Sequence, residues 1–459
     1  MEFDSERCSP LIKRGFENIE VNPTTKESYI SKVVRTIERR EEIESKDITK
    51  ILIQNALVLT NDIKNDSGYV SPDYLVNTNW NRFARYVKLQ ELYKRASKNR
   101  SYDSKEKYGD FYGLIVTLTE KGLYTPDILA NYTREELVKA GNSIVPERDE
   151  LFDFAGLHSL SGRYCVKDFD KSVYELPQER FMIAALHLMM PEEKDRVEKA
   201  IELYWALSNL YLTLATPTLM NAGRVTGGLS SCFVLTTEDS LRGIFDDNTD
   251  VSTFSKNGAG IGIYFGKLRA TGSDIRGHKG AASGILGWIK QLDNTAVSVD
   301  QLGQRPGAVA VYLDIWHKDI EDFIDLRLNT GDKSKRAYNV FTGLCIPDEF
   351  MRQVEKRGDF YLFDPHEIKQ KMGFSLEDFY DKKKLGEKET PNPIDHAWTY
   401  HYYLCVDNNN LDKRRVPAIE LKKRYMKAQL ETGIPYMFYR DTVNRNNPNS
   451  HSGIIYSSN

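Results

Sequence analysis

Cysteine is scarce in this 459-residue sequence: Cys8, Cys165, Cys232, Cys345 and Cys405 are widely scattered, and no CxxC pair occurs. That odd number and open spacing exclude a disulfide framework and a cysteine-based zinc site. If one of the five is redox-active, its partner lies elsewhere. Charge of one sign is also lacking. Lys and Arg number 63 against 66 Asp and Glu, for a net charge of −3. With neither sign in excess and no charged blocks, a dedicated nucleic-acid or membrane-surface binder is not expected. No apolar run approaches the ~18–20 residues that span a bilayer, and the opening "MEFDSERCSP" has no apolar signal core. A cytoplasmic protein is expected. Internal repeats and low-complexity tracts are absent.

What is present is enough apolar sequence, 40%, for two or three domains with sizeable cores. Residues 1–100 are polar and predict helices. Ile30, Val33, Val34 and Ile37 fall at helical spacing among charges, and 46–62 and 74–96 repeat the pattern. Residues 101–215 also predict helices. "YTREELVKAG" carries a capping box, Thr133 with Glu136, and a stop at Gly141. Two long apolar-striped helices follow, broken near Pro191, with Met182, Met189 and Met190 as core residues.

Composition changes after residue 215. "TPTLMNAGRVTGGLSSCFVL" is rich in Gly, Ser and Thr and runs into a strand. Glycine-led "GAGIGIYFGKL" and loop-led "VSVDQLGQRPGAVAVYLDIW" also run into strands, "HKDIEDFIDLRLN" predicts an amphipathic helix, and "VFTGLCIPDEFM", "DFYLFDPHE" and "IPYMFY" add short strands. Strands alternating with helices imply an α/β sheet or barrel. Residues 376–415 read as a charged, irregular excursion. The closing "GIIYSSN" reads as a strand whose neighbours would supply ladder hydrogen bonds.

"NGAGIG" (257–262) is spaced GxGxG and precedes a strand, so it is not the dinucleotide fingerprint. Glycine there leaves room for a close backbone approach, and such a loop can offer N–H groups to a phosphate or sugar. Cys232 heads its strand behind a flexible, hydroxyl-rich loop. It is either a small buried hydrophobe or a redox thiol. "DQLGQRPGA" (300–308) is either a surface turn or a loop that reads a base edge through its amides.

In combination these segments are far more specific. "TPTLMNAG", "SSCFVL", "SKNGAGIG", "KLRATGSDIRG", "QLGQRPGA", "CIPDEFM" and "TGIPYMFYRDTVNR" occur in that order. Over residues 100–459 the chain resembles the large, catalytic subunit of class I ribonucleotide reductase. The resemblance implies a helical N-terminal region, 1–100 being a degenerate ATP-cone-like module and 101–215 a helical reductase domain. The first half of a ten-stranded α/β barrel would follow over 216–459. In that family "SSN" continues as Leu-Cys-x-Glu. The cysteine becomes the thiyl radical that takes the 3′ hydrogen of the ribose, and the glutamate is the base on the 3′-OH. Both would fall beyond Asn459, so a split or truncated enzyme is expected, inactive as a fragment and completed by a second polypeptide. Cys232 would be a reducing thiol and Asn459 a catalytic amide. Thr216, Ser231 and Gly260 would meet the substrate.

The resemblance also implies a nucleotide-effector site at a dimer interface. Asp239 and Ser240 would hold the deoxyribose and Lys256 and Arg269 would face the triphosphate. Loop 273–283 would cover the effector, and Asp300, Gln301 and Arg305 would relay its identity. "DQLGQRPG" is one residue shorter than the common class I form and closer to class Ib, and Ser298 replaces a usual aromatic. Lys13-Arg14 survives from the cone's opening turn without its Asp-Gly. No cofactor is expected on this chain itself. Its expected effector is a deoxynucleoside triphosphate or ATP. A metal-radical cofactor would reside in a radical-generating beta subunit, and thioredoxin or glutaredoxin would be the reductant. The alternatives are a cobalamin-dependent class II reductase fragment and a non-catalytic nucleotide-binding regulator.

Overall fold

The computed structural model describes residues 5–17, 19, 21–39, 43–60, 78–256, 259–299, 308–387 and 389–459. It divides into two compact units, Met1–Leu229 and Ser230–Asn459. The expected boundary at 215/216 thus falls 14 residues early. The cause is the short helix Thr216–Asn221, whose Leu219 packs, with Ala222, into the apolar core of the helical unit.

The first unit is helical throughout its regular elements. Helices Ser5–Gly15, Pro23–Glu38, Ser45–Thr60 and Thr78–Arg100 share a core of Phe16, Tyr29, Val33, Ile37, Leu52, Trp80 and Phe83. Lys13 and Arg14 sit in the last turn of the first of these helices. The expected capping box forms: Glu136 N–H donates to Thr133 Oγ1 (3.2 Å), and Thr133 N–H to Glu136 Oε2 (2.7 Å). Helix Pro177–Met189 buries residues 177–186 on every side. Its charges survive burial only by pairing. Glu179 accepts from Arg100 (2.7 Å) and from the Leu176 N–H (2.8 Å), which caps the helix start.

The second unit is built on a parallel sheet. Its strands are β1 (Cys232–Thr236), β2 (Gly260–Tyr264), β3 (Ala308–Asp314), β4 (Phe341–Ile346) and β7 (Tyr436–Tyr439), in the order β1-β2-β3-β4-β7. An antiparallel pair, β5 (Asp359–Leu362) with β6 (Arg414–Pro417), stands apart. The outer face presents Ile261, Ile263, Val309, Val311, Leu313, Leu344 and Ile346 to a helical layer that includes Ile289, Phe323, Phe350 and Leu421. The inner face is different. Tyr264, Ala310, Tyr312, Cys345 and Phe438 form a second apolar cluster with Ile455 and Tyr456. Burial on both faces explains why β3 reads as a continuous apolar run. The sheet is open, with β1 and β7 at its edges, as expected for part of a barrel.

Two expectations need correction. Residues 453–459 form no strand and make no ladder. They lie extended across the inner face of the sheet, running opposite to β2: the Tyr456 ring lies tilted 5.1 Å from that of Tyr264, Ser458 lies at Gly262 and Asn459 at Gly260. The reason is steric, because this segment fills the space the inner side chains leave open. The supposed excursion 376–415 contains helix Ala397–Asp407, which buries Trp398, Tyr402 and Cys405 on one face.

Candidate functional site

The site begins with strand register. Cys232 pairs with Gly260 across β1 and β2, and Gly260 N–H donates to the Ser231 carbonyl (2.8 Å). Both residues head their strands, and alternation puts them on the inner face. There the Ser231 hydroxyl lies 3.3 Å from the Cys232 sulfur. A methyl group at Gly260 would come 2.7 Å from Asn459 Oδ1, and one at Gly262 would collide with the Ser458 carbonyl. Glycine is therefore required at Gly262 for the closing segment's backbone to pass, whereas a side chain at position 260 would displace the Asn459 carboxamide. The result is a thiol, a hydroxyl and a carboxamide gathered around one side-chain-free spot. Barrel enzymes usually gather their chemistry at the C-terminal ends of the strands; here it stands at the N-terminal ends of β1 and β2.

Cys232 is the exposed thiol among the four cysteines whose side chains are described. The other three are buried. Burial pushes the Cys405 thiol up to about 12 and Cys165 and Cys345 well above the ordinary range. A thiol held in its neutral form is a poor nucleophile and reductant, so accessibility favours Cys232 for redox work. Thr216 belongs to the helical unit, where it opens helix Thr216–Asn221 and meets the Tyr164 hydroxyl at 3.1 Å.

At the other ends of the strands is an open cleft of about 1590 Å³. Ser240 begins helix Leu241–Lys256, accepting the Gly243 N–H (3.0 Å). Asp239 grips Arg269 through Nε (2.9 Å) and Nη2 (2.8 Å), and Arg269 Nη1 reaches the Asp274 carbonyl (2.5 Å). Asp239, Ser240 and Arg269 line this cleft together, with Ser273, Arg276 and Lys279 from the expected covering loop. Lys256 does not join them. It ends a 16-residue helix that Ser240 begins, which puts it ~22 Å away along the axis. Within one chain it does not reach the cleft that Arg269 lines. Asp300, Gln301 and Arg305 lie outside the described residues.

Several residues in and behind the cleft escaped the sequence reading. His317 is fully buried. Its Nδ1 accepts the Asp319 N–H (3.0 Å), so its proton resides on Nε2, which donates to the Leu268 carbonyl (2.9 Å). Asp319 accepts the Thr271 N–H (3.0 Å) and the Ile285 N–H (3.3 Å), and Asp364 accepts the Ala270 N–H (3.0 Å). These three side chains hold both ends of the 271–285 loop. His366 lies 3.4 Å from Asp239. Their signal was "IWHKD" and "FDPHE", acids and histidines directly after strands.

A helical unit in sequence before a parallel, open five-stranded sheet, with an exposed thiol on the inner face, defines part of an α/β barrel protein. Comparison makes this specific. The family model described as "Ribonucleotide reductase, barrel domain" matches residues 230–459, and "Ribonucleotide reductase, all-alpha domain" matches 150–227. The chain belongs to the ribonucleotide reductase family, as a large-subunit sequence. It is 45% identical to the ribonucleoside-diphosphate reductase subunit alpha of Treponema pallidum (strain Nichols), over 76% of this chain and 40% of that protein. The subunit alpha of Synechocystis (strain PCC 6803) is 34% identical over 92% of this chain and 51% of its own length. That of Helicobacter pylori (strain 26695) is 36% identical over 83% and 45%. The chain therefore spans about half, or less, of the curated relatives it matches. Among the described residues, no helix is long and apolar enough to cross a membrane.

Proposed function

We propose that this chain supplies the helical domain and the first half of the catalytic barrel of a ribonucleoside-diphosphate reductase. The observation that carries the reading is the meeting of Cys232, Gly260 and Asn459 on the inner face. Gly260 leaves room for a ribose, Asn459 offers it an amide, and Cys232 is the accessible reductant. In the net reaction two thiols give up two electrons and two protons. The C2′–OH bond breaks, water leaves, a C2′–H bond forms and the thiols close into a disulfide. Cys232 is one of these thiols. The second thiol, the hydrogen-abstracting cysteine and the base glutamate belong to sequence outside residues 1–459. Thr216 and Ser231 bind substrate through their hydroxyls.

The cleft at Asp239, Ser240 and Arg269 takes a deoxynucleoside triphosphate or ATP as effector. Arg269 is suited to phosphate because its guanidinium binds two oxygens at once. Residues 300–305 relay the effector's identity, and a second copy of the chain supplies Lys256 across the interface. A beta subunit carries the radical, and thioredoxin or glutaredoxin reopens the disulfide. The remodelled N-terminal module makes dATP a poor overall inhibitor.

The test is Cys232→Ser in the assembled enzyme with its radical subunit. Multiple turnover on a ribonucleoside diphosphate is expected to be lost. Normal turnover with dithiothreitol would overturn the assignment.

A further inference from the structure

The segment 453–459 crosses the inner face without a ladder, so something else must fix how far it reaches. We propose that Asn444 is the positioning residue that sets the register of this segment, and through it the placement of Asn459 against Gly260 and Cys232. Asn444 lies in helix Arg440–Arg445, directly after β7, and is 2% exposed. Its Oδ1 accepts the Ile455 N–H (2.8 Å), and its Nδ2 donates to the Ile455 carbonyl (3.0 Å). One carboxamide thereby makes both bonds that a neighbouring strand would make, at a single residue. The next residue is held from all sides. The Tyr456 ring lies 5.1 Å from the Tyr264 ring and 5.6 Å from the Arg440 guanidinium, its hydroxyl donates to Asp378 (2.7 Å), and its carbonyl accepts from the Cys345 thiol (3.4 Å).

The lever is geometric. An extended chain advances ~3.3 Å per residue, so Asn459 stands ~13 Å beyond Ile455. A slip of one residue at Asn444 would carry the amide off Gly260 and turn its side chain to the other side. Misplacement by ~1 Å in a reacting site costs on the order of a hundredfold in rate. Asn444 touches neither Cys232 nor Asn459, so its action is through the segment alone.

Cys345 reports the state of the clamp, because its sulfur lies beneath the Tyr456 carbonyl. In the unaltered chain, hydrogen exchange should show the Ile455 amide protected about a hundredfold or more over a free peptide; an unprotected amide overturns the proposal whatever any variant does. In Asn444→Ala, alkylation by iodoacetamide, read site by site by mass spectrometry, should rise about tenfold or more at Cys345. Cys165 and Cys405, buried elsewhere, should stay protected. Cys345 remaining as protected as in the unaltered chain overturns it. If all three thiols open together the variant has unfolded, and the exchange of the unaltered chain decides. The catalytic consequence rests on the reductase reading. In the assembled enzyme, Asn444→Ala should lower kcat about tenfold or more with KM unchanged, and a raised KM with kcat intact overturns the positioning role. An assembled unaltered enzyme that reduces nothing, with Cys345 still opening in the variant, would count against the reductase reading and leave the clamp standing.

Discussion

The two faces of the five-stranded sheet are made from the same strands and obey different rules. The outer face is aliphatic and sealed by helices, with Ile261, Ile263, Val311 and Leu344 at or below 1% exposure. The inner face alternates with it, residue by residue, and carries Gly260, Gly262, Tyr312, Asp314 and Cys345. Its cover is seven residues of extended chain, and its charges are kept only by mutual pairing: Tyr264 donates to Asp314, which also pairs with Arg440 (3.3 Å). One face is sealed by helices; the other keeps glycines where the closing segment passes.

The sharpest break of the comparison is Cys232→Ser, which should abolish turnover in the assembled enzyme. Because the thiol is exposed, its thermal stability should move by no more than about 0.5 kcal/mol. Leu344→Ala, on the opposite face of the sheet, should do the reverse. Removing a fully buried leucine costs about 2–5 kcal/mol, read by urea unfolding, while effector binding in the surviving folded protein stays normal.

The buried carboxyl of Glu377, in the turn Leu376–Asp378, should add a pH dependence that the aliphatic outer face lacks. Burial, with Asp378 and Asp314 nearby, pushes the Glu377 carboxyl up to about 7 from 4.5. The folded state then holds a proton that the unfolded state has released, so stability falls as pH rises from about 4.5 to 7. About 3 kcal/mol is at stake. Glu377→Gln should flatten that part of the unfolding profile; an unchanged slope would show that the carboxyl is not the cause. The smallest effect belongs to the cleft. Arg269→Ala should weaken dTTP binding about tenfold, the loss of a charged hydrogen bond of about 1.5 kcal/mol, as measured by calorimetry. Unaltered affinity would remove Arg269 from the phosphate site.

Much of this division was legible in the sequence. Thr133 and Glu136 gave their capping box, and Met182 is fully buried as its helix stripe required. The head of β1 was visible as Cys232 after a hydroxyl-rich loop. The glycines of β2 were visible as a close approach, though not what approached. A short apolar triplet such as Ile454-Ile455-Tyr456 reads alike whether it pairs in a sheet or lies across one, since local pattern does not encode the partner. That Lys256 and Arg269 do not share one chain's cleft was not legible, because motif order carries no distance and a helix of four turns separates them. Helix Ala397–Asp407 did leave a signal, Trp398, Tyr402 and Cys405 at helical spacing, but flanking charges and prolines masked it. His317 was missed because a buried histidine that organises a loop looks, in sequence, like any polar residue after a strand.

The order β1-β2-β3-β4-β7 has a consequence for synthesis. β4 finishes at Ile346, and the strand that pairs with its free edge begins at Tyr436. The intervening stretch, 347–435, includes β5 and β6, which pair only with each other. At ribosomal speeds of about 5–20 residues per second, β4 waits roughly 5–20 s for its neighbour. During that interval an apolar strand of "FTGLCI" offers a bare edge to any other nascent chain. A chaperone that covers such edges should raise the yield of this polypeptide, and a slower ribosome should lower it.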